Sequence, residues 1–288
     1  MKQRRLIING DDFGLCREVN EAVILAWRKG VLTSTSLMAS GEAFDQAVAL
    51  AKENPGLAVG LHVTCVAGRA VLPPFRIPHV VGNSGQFPGD PALAGLKYFF
   101  RPGARKDLLS EIGAQFEKFA RSGLNFSHVD SHCHMHVNPA VLGAIVQIAE
   151  SYGIKRIRVP ADSFFAALPF ARSSVGTSGH ALMFSLLTRR MKRILGKRGF
   201  IFPRTVYGNL LTGNVSLEYV LSVLDRLPHG TSELYFHPAL PCGPPGDADR
   251  QLLQRFRELA ILLHPDVRST IDRLGVRLST YSDLETNS

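Results

Sequence analysis

The residues best suited to chemistry lie between Phe126 and Val137, where four of the ten histidines and one aspartate fall within twelve residues. Side chains alternate across a strand, so His128, Asp130, His132, His134 and His136 would share one face for as long as a strand continued. A row of unpartnered imidazoles is costly to desolvate in a core. The spacing therefore predicts a strand that ends near Asp130 and releases the histidines into a metal or catalytic site. A solvated histidine-rich turn is the plainer alternative.

Further candidates come from distant parts of the chain. Arg5 to Asn9 reads as a short buried strand, and Gly10-Asp-Asp-Phe-Gly14 as a turn that leaves Asp11 and Asp12 side by side at its end. Leu57 to Val63 reads as a strand with His62 near its exit, Lys155 to Val159 as one carrying Arg158, and Ser232 to His237 as one ending in His237. One carboxylate and two imidazoles make a facial set for a divalent ion with open positions, and Asp12, His62 and His132 could supply it. Such an ion would acidify bound water and polarise a carbonyl. Asp11 could then accept the water's proton, His237 could protonate the leaving amine, and Arg158 could hold Asp11 ionised. These parts describe metal-assisted hydrolysis of an amide or ester. Each residue also has a structural explanation: paired Asp residues form turns and helix caps, a single buried His is commonly a satisfied core group, and Arg158 could pair with Asp162 instead.

The elements that must position these groups alternate. Strands over 5–9, 32–38, 57–63, 155–159, 206–211, 232–237 and 276–280 are separated by helices over 18–29, 44–52, 108–121, 139–152, 217–227, 251–263 and 265–274. Seven or eight mostly parallel strands at this length predict an α/β fold closed into a distorted (β/α) barrel, with the polar residues at the C-terminal rim where barrel enzymes build sites. The whole chain, 1–288, reads as one such domain. Residues 70–105, rich in Pro, Gly and aromatics, read as a loop or lid insertion.

Composition narrows the classes. With 45% apolar and 20% charged residues the chain can build a large core. Cys16, Cys65, Cys133 and Cys242 are scattered without a C-x-x-C pair, which argues for a reduced, cytoplasmic setting without disulfides. Neither a signal peptide nor a membrane span is legible. The net charge of +9 is concentrated between Ser163 and Leu217, a stretch with eight Lys or Arg and no Asp or Glu. A basic, partly helical segment at about 163–204 follows, with a helix expected over 181–195. No recognised nucleic-acid motif accompanies the charge, and nucleic acid is not expected as a partner. Serine-hydrolase, zincin, P-loop and dinucleotide motifs are absent as well.

Read together, Asn9-Gly-Asp-Asp-Phe-Gly-Leu15, Thr33-Ser-Thr-Ser36, Val59-Gly-Leu-His62, His128-Val-Asp-Ser-His132 and Phe236-His-Pro238 resemble the successive motifs of the YdjC-like carbohydrate deacetylases. The resemblance runs through most of the chain in family order. It implies a TIM-like barrel akin to polysaccharide deacetylases, a divalent metal on Asp12, His62 and His132, and Asp11 as the base in removing acetate from an N-acetylated sugar. Polysaccharide deacetylases carry H-x-x-x-H, matched here by His132 and His136, so His136 competes with His62 for the third ligand position. Asp130 is expected to orient a neighbour, with His134 and His136 left for substrate contact. Leu72-Pro-Pro, Tyr98-Phe-Phe-Arg-Pro102 and Arg156-Ile-Arg-Val-Pro160 resemble the hopanoid-biosynthesis branch, which implies N-acetylglucosaminyl bacteriohopanetetrol as substrate. Chitooligosaccharides such as diacetylchitobiose are the alternative, and a non-catalytic sugar- or lipid-binding protein a further one. Branch members of the chitobiose type show H-H-H where this chain has His132-Cys-His134. The resemblance leans to magnesium, with zinc as alternative, and suggests a homodimer. For a glycolipid substrate the basic segment would contact the inner face of a membrane through an imperfect interfacial helix.

Overall fold

A computed structural model of the chain describes residues 3–161, 177–241 and 250–284. Seven strands form one parallel sheet in the order β4-β3-β2-β1-β6-β5, with β7 paired to the start of β1. The strands are β1 (Arg4–Phe13), β2 (Ser34–Leu37), β3 (Ala58–Val63), β4 (Val129–Ser131), β5 (Thr205–Tyr207), β6 (Gly230–Phe236) and β7 (Arg277–Leu278). β1 is the central strand and is buried from Leu6 to Phe13, as a parallel strand covered on both sides must be.

The sheet curls into the expected distorted barrel. The gap between β4 and β5 is filled by 155–161, which runs in strand position but makes only isolated bridges, Val129 to Ile157 and Arg156 to Ile201. The Val206 amide adds a bond to the Ala161 carbonyl at 3.3 Å. Pro160, which has no amide proton, limits any longer ladder there.

Nine helices among the described residues accompany the strands: α1 (Arg17–Lys29), α2 (Phe44–Glu53), α3 (Pro91–Phe100), α4 (Pro102–Arg121), α5 (Pro139–Ser151), α6 (Thr177–Lys197), α7 (Leu217–Asp225), α8 (Arg250–Leu262) and α9 (Pro265–Arg273). Most expected elements are present within a few residues. Two differ. The segment expected as strand 206–211 is a strand only to Tyr207, because Gly208 at φ +119 turns the chain into a short 3-10 turn. The 70–105 stretch holds α3, started by Asp90, whose carboxylate accepts from the Ala92 and Leu93 amides at 2.7 and 3.0 Å. Glu111 of α4 ties down the Val71 and Leu72 amides at 2.8 and 2.9 Å. Cys16, Cys65 and Cys133 are free thiols, while Cys242, Asp162 and Arg172 lie outside the described residues.

Apolar packing and polar filling are separated by the strand alternation. The large apolar core lies between strands and helices. Ile7, Tyr281 and Leu284 form a separate small apolar cluster. Above it, alternate positions of the strands deliver Asn9, Ser36, Asp130 and Glu233, all buried, with His128 and Arg158 beside them. The barrel is filled by a hydrogen-bonded polar layer, and the candidate site rests on top of it.

Candidate active site

Arg158 organises the layer. Its side chain is fully buried, and all five of its N–H donors meet carboxylates. Nη1 lies 2.7 Å from Asp11 Oδ2 and 2.7 Å from Asp130 Oδ2. Nη2 lies 2.8 Å from Asp11 Oδ1 and 2.6 Å from Glu233 Oε1, which also accepts from Nε at 3.0 Å. Glu233 takes a further bond from the Tyr281 hydroxyl at 2.5 Å. Ser36 donates to Asp130 Oδ2 at 2.8 Å and accepts from Asn9 Nδ2 at 2.9 Å, and Asn9 also donates to Asp11 at 2.7 Å.

Two adjacent carboxylates in a regular strand would point to opposite faces. Asp12 instead adopts φ +66, at a register shift between Gly10 and Phe13, so that it turns toward the same cleft as Asp11. Gly14, at φ +91, completes this turn where a side chain would meet the Met38 carbonyl at 3.1 Å. The histidine stretch is bent in the same way. Cys133 and His134 have φ +51 and +52, which ends the alternation after β4. Gly60 makes room for a ring. A Cβ there would lie 2.4 Å from His128, which stacks on Tyr281 at 3.8 Å between centroids.

These turns bring Asp12, His62 and His132 together, with one ligand atom from each within 4.8 Å of the others. His132 Nδ1 is 2.9 Å and His62 Nε2 is 3.4 Å from Asp12 Oδ1. His62 Nδ1 is held by Asp130 Oδ1 at 2.7 Å, the carboxylate–histidine pairing that orients a ligand ring and leaves Nε2 free for an ion. His136 is committed elsewhere. Its Nδ1 lies 2.5 Å from Ser131 Oγ and its Nε2 3.1 Å from the Arg158 carbonyl. His134 meets the Tyr235 hydroxyl at 2.9 Å through Nε2, and its buried Nδ1 has no hydrogen-bond partner. His237 lies at the mouth, its backbone N–H bonded to Glu258 at 2.6 Å.

Sequence patterns did not reveal Arg255, whose Nη2 lies 2.5 Å from Asp12 Oδ2. It stands on α8 in a row with Gln251, Gln254 and Glu258, at i, i+3, i+4 and i+7, and that polar stripe is the signal that could have revealed it. Glu233 and Tyr235 were also missed, although both alternate inward with the period of β6. The groups surround a cleft of about 440 Å³, within the range of small-molecule sites.

The electrostatics favour a cation. Burial pushes both imidazolium forms down, but the carboxylates outweigh it: Asp130 and Asp12 raise His62 to about 10, and Asp12 raises His132 well above its ordinary value. Burial alone would raise Asp12 and Asp130. Ion pairing with His132 holds Asp12 well below the usual range, and Arg158 and His62 do the same for Asp130. His136, by contrast, is depressed to about 4 by burial and stays neutral. A donor set of one carboxylate and two imidazoles that holds protons this strongly fits a divalent ion, which would take their place.

Two results are therefore expected. Divalent-ion binding should release protons and strengthen as pH rises, read by calorimetry in buffers of differing ionisation enthalpy; equal heats in all buffers would refute it. In metal-free protein the folded-state value of His62 lies above the unfolded value of about 6.5, so its stabilisation is complete below that pH. Thermal midpoints should fall as pH rises from there through about 10.

A parallel barrel with a buried carboxylate–imidazole centre at the carboxyl ends of its strands, beside a second aspartate held by an arginine, defines an α/β-barrel protein with a metal-type site. Residues 5–273 match the family model described as YdjC-like protein, and the chain belongs to that family. It is 32% identical over 283 residues to a carbohydrate deacetylase of Geobacillus stearothermophilus, covering 97% of this chain and 98% of that protein. It is 30% identical over 288 residues to a chitooligosaccharide deacetylase of Yersinia enterocolitica, covering 98% and 99%. A solved structure of an Enterococcus faecalis protein, proposed to cleave cellobiose phosphate, superposes with a TM-score of 0.73 at 25% identity, covering 97% and 98% of the two chains.

Proposed function

We propose that the protein is a metal-dependent carbohydrate N-deacetylase that hydrolyses the acetamide of an amino sugar. The observation that carries this is Asp11, clamped through both side-chain oxygens by Arg158, beside the cluster of Asp12, His62 and His132 in one cleft. The names of the Geobacillus and Yersinia relatives supply the substrate class. Asp12, His62 and His132 would hold the ion, which supplies Lewis-acid polarisation of the amide carbonyl and acidifies water.

Asp11 accepts the proton of the attacking water as the C–O bond forms. Arg158 fixes both oxygens of Asp11, so that its free lone pairs face the cleft. His237, partly exposed at the mouth, gives a proton to the sugar nitrogen as the C–N bond breaks, which releases acetate and a free amine. Asp130 positions the His62 ring, and His134 and Tyr235 line the sugar's side of the cleft.

Within this activity, the segments resembling the hopanoid branch support N-acetylglucosaminyl bacteriohopanetetrol as substrate and magnesium as the ion. The Yersinia relative supports a chitooligosaccharide instead. Mass spectrometry of reactions with N-acetylglucosaminyl bacteriohopanetetrol and with diacetylchitobiose separates the two, since loss of one acetyl group from only one of them decides. A chelator should stop acetate release, and a divalent ion should restore it; activity unaffected by chelation would sink the metal role.

Membrane contact of the basic segment and a homodimer complete the reading. Among the described residues no helix is long and apolar enough to cross a membrane. On α6 the apolar positions Met191 and Leu195 are packed into the protein, while Met183 and Leu186 and the cations Arg189 and Arg193 are exposed and would form the contact.

A further inference from the structure

Helix α3 carries apolar residues on two opposite sides. Ala94 and Tyr98 face the protein, where the Tyr98 hydroxyl donates to the Cys65 carbonyl at 2.5 Å. At about 100° per residue, Leu93, Leu96 and Phe100 share the other side. They are 65%, 56% and 66% exposed. A surface helix of a soluble protein turns one apolar stripe to the core and polar residues to water. A second, contiguous apolar face in solvent marks a surface that something covers.

The surrounding charge indicates what covers it. From Pro91 to Lys106 there is no Asp or Glu, whereas Lys97, Arg101, Arg105 and Lys106 are all present and exposed. None of the four pairs with a carboxylate among the described residues; Arg105 bonds only the carbonyls of Tyr98 and Phe99. A second copy docked by two-fold symmetry would bring these cations against one another. An anionic bilayer satisfies both features, taking the apolar side chains below its headgroups and the cations among them. The helix also stands beside the cleft. Cys65, held by Tyr98, is two residues before Ala67 of the cleft wall, and Asn138, just after the histidine stretch, donates to the Gly95 carbonyl at 3.0 Å.

We propose that α3 is a peripheral docking element that seats Leu93, Leu96 and Phe100 in the headgroup boundary of an anionic lipid bilayer and brings the neighbouring cleft to that surface. This docking does not depend on the deacetylase reading. It is a different surface from α6, where Met183 and Leu186 are exposed but Met191 and Leu195 are used in packing.

The test is sedimentation of the full chain with phosphatidylcholine vesicles with and without phosphatidylglycerol. Binding is expected only with phosphatidylglycerol, and should weaken with salt. The double variants Leu96→Ser/Phe100→Ser and Lys97→Glu/Arg101→Glu should each weaken it about tenfold or more. Their circular dichroism and their activity on a soluble N-acetylated sugar should be unchanged, because these side chains are exposed. Arg189→Glu/Arg193→Glu on α6 should cause a smaller loss than either. Absent binding of the unmodified chain to anionic vesicles at low salt, or undiminished binding of both α3 variants, overturns the proposal. So does a dimer in sedimentation velocity that Leu96→Ser/Phe100→Ser dissociates, which would assign the face to self-association.

Discussion

Replacing Asp11 by Asn is expected to lower the rate of acetate release by about 10²–10⁴-fold, the range lost when a general base is removed. The amide cannot accept a proton from water, while Asp12, His62 and His132 are untouched, so divalent-ion affinity should stay near that of the unmodified protein. Some stability is lost too. Asp11 accepts from Asn9 and from both terminal nitrogens of Arg158, and an amide would turn one acceptor into a donor facing a donor. That mismatch costs about 1–3 kcal/mol. Rates must therefore be compared well below the unfolding midpoint. Undiminished turnover in this variant would remove Asp11 from the chemistry. Turnover lost together with ion affinity would instead make it a ligand.

The largest effect on stability is expected at Arg158. Arg158→Met would leave Asp11, Asp130 and Glu233 buried without their common cation. Breaking a buried ion pair from one side costs roughly 3–5 kcal/mol, and three carboxylates share this one. A fall in midpoint of roughly 6–20 °C is expected for a domain of this size. Arg158→Lys should recover only part of it, because an ammonium has three donors and no planar fork to span three carboxylates. A midpoint within two or three degrees of the unmodified protein, by scanning calorimetry, would show that the network is incidental to the fold. Burial already favours a protonated Glu233, so the variant should relax by proton uptake and lose most stability at high pH.

Much of this was legible in the chain. Alternating strands and helices and polar residues at strand ends determine a parallel barrel with its site on the carboxyl rim, because these patterns are local and periodic. The types of Asp12, His62 and His132, and of Asp11 beside them, likewise determine which chemistry is available. Ser34 to Ser36, small and polar on a strand that is buried throughout, fit only once the barrel interior is seen to be filled by a polar layer.

Other features waited for the tertiary structure. The motifs favour His62 as the partner of His132 but keep His136 as a rival, whereas in the folded chain His136 is tied to Ser131 and the Arg158 carbonyl while His62 faces Asp12. Strand periodicity alone would have sent Asp11 and Asp12 to opposite faces, and a left-handed residue at the end of β1 turns both into one cleft. Arg255 reaches Asp12 across 243 positions of sequence. Local patterns set residue type and alternation, but long-range packing alone decides which buried charges meet, because each charge is stable inside the barrel only beside partners drawn from distant strands.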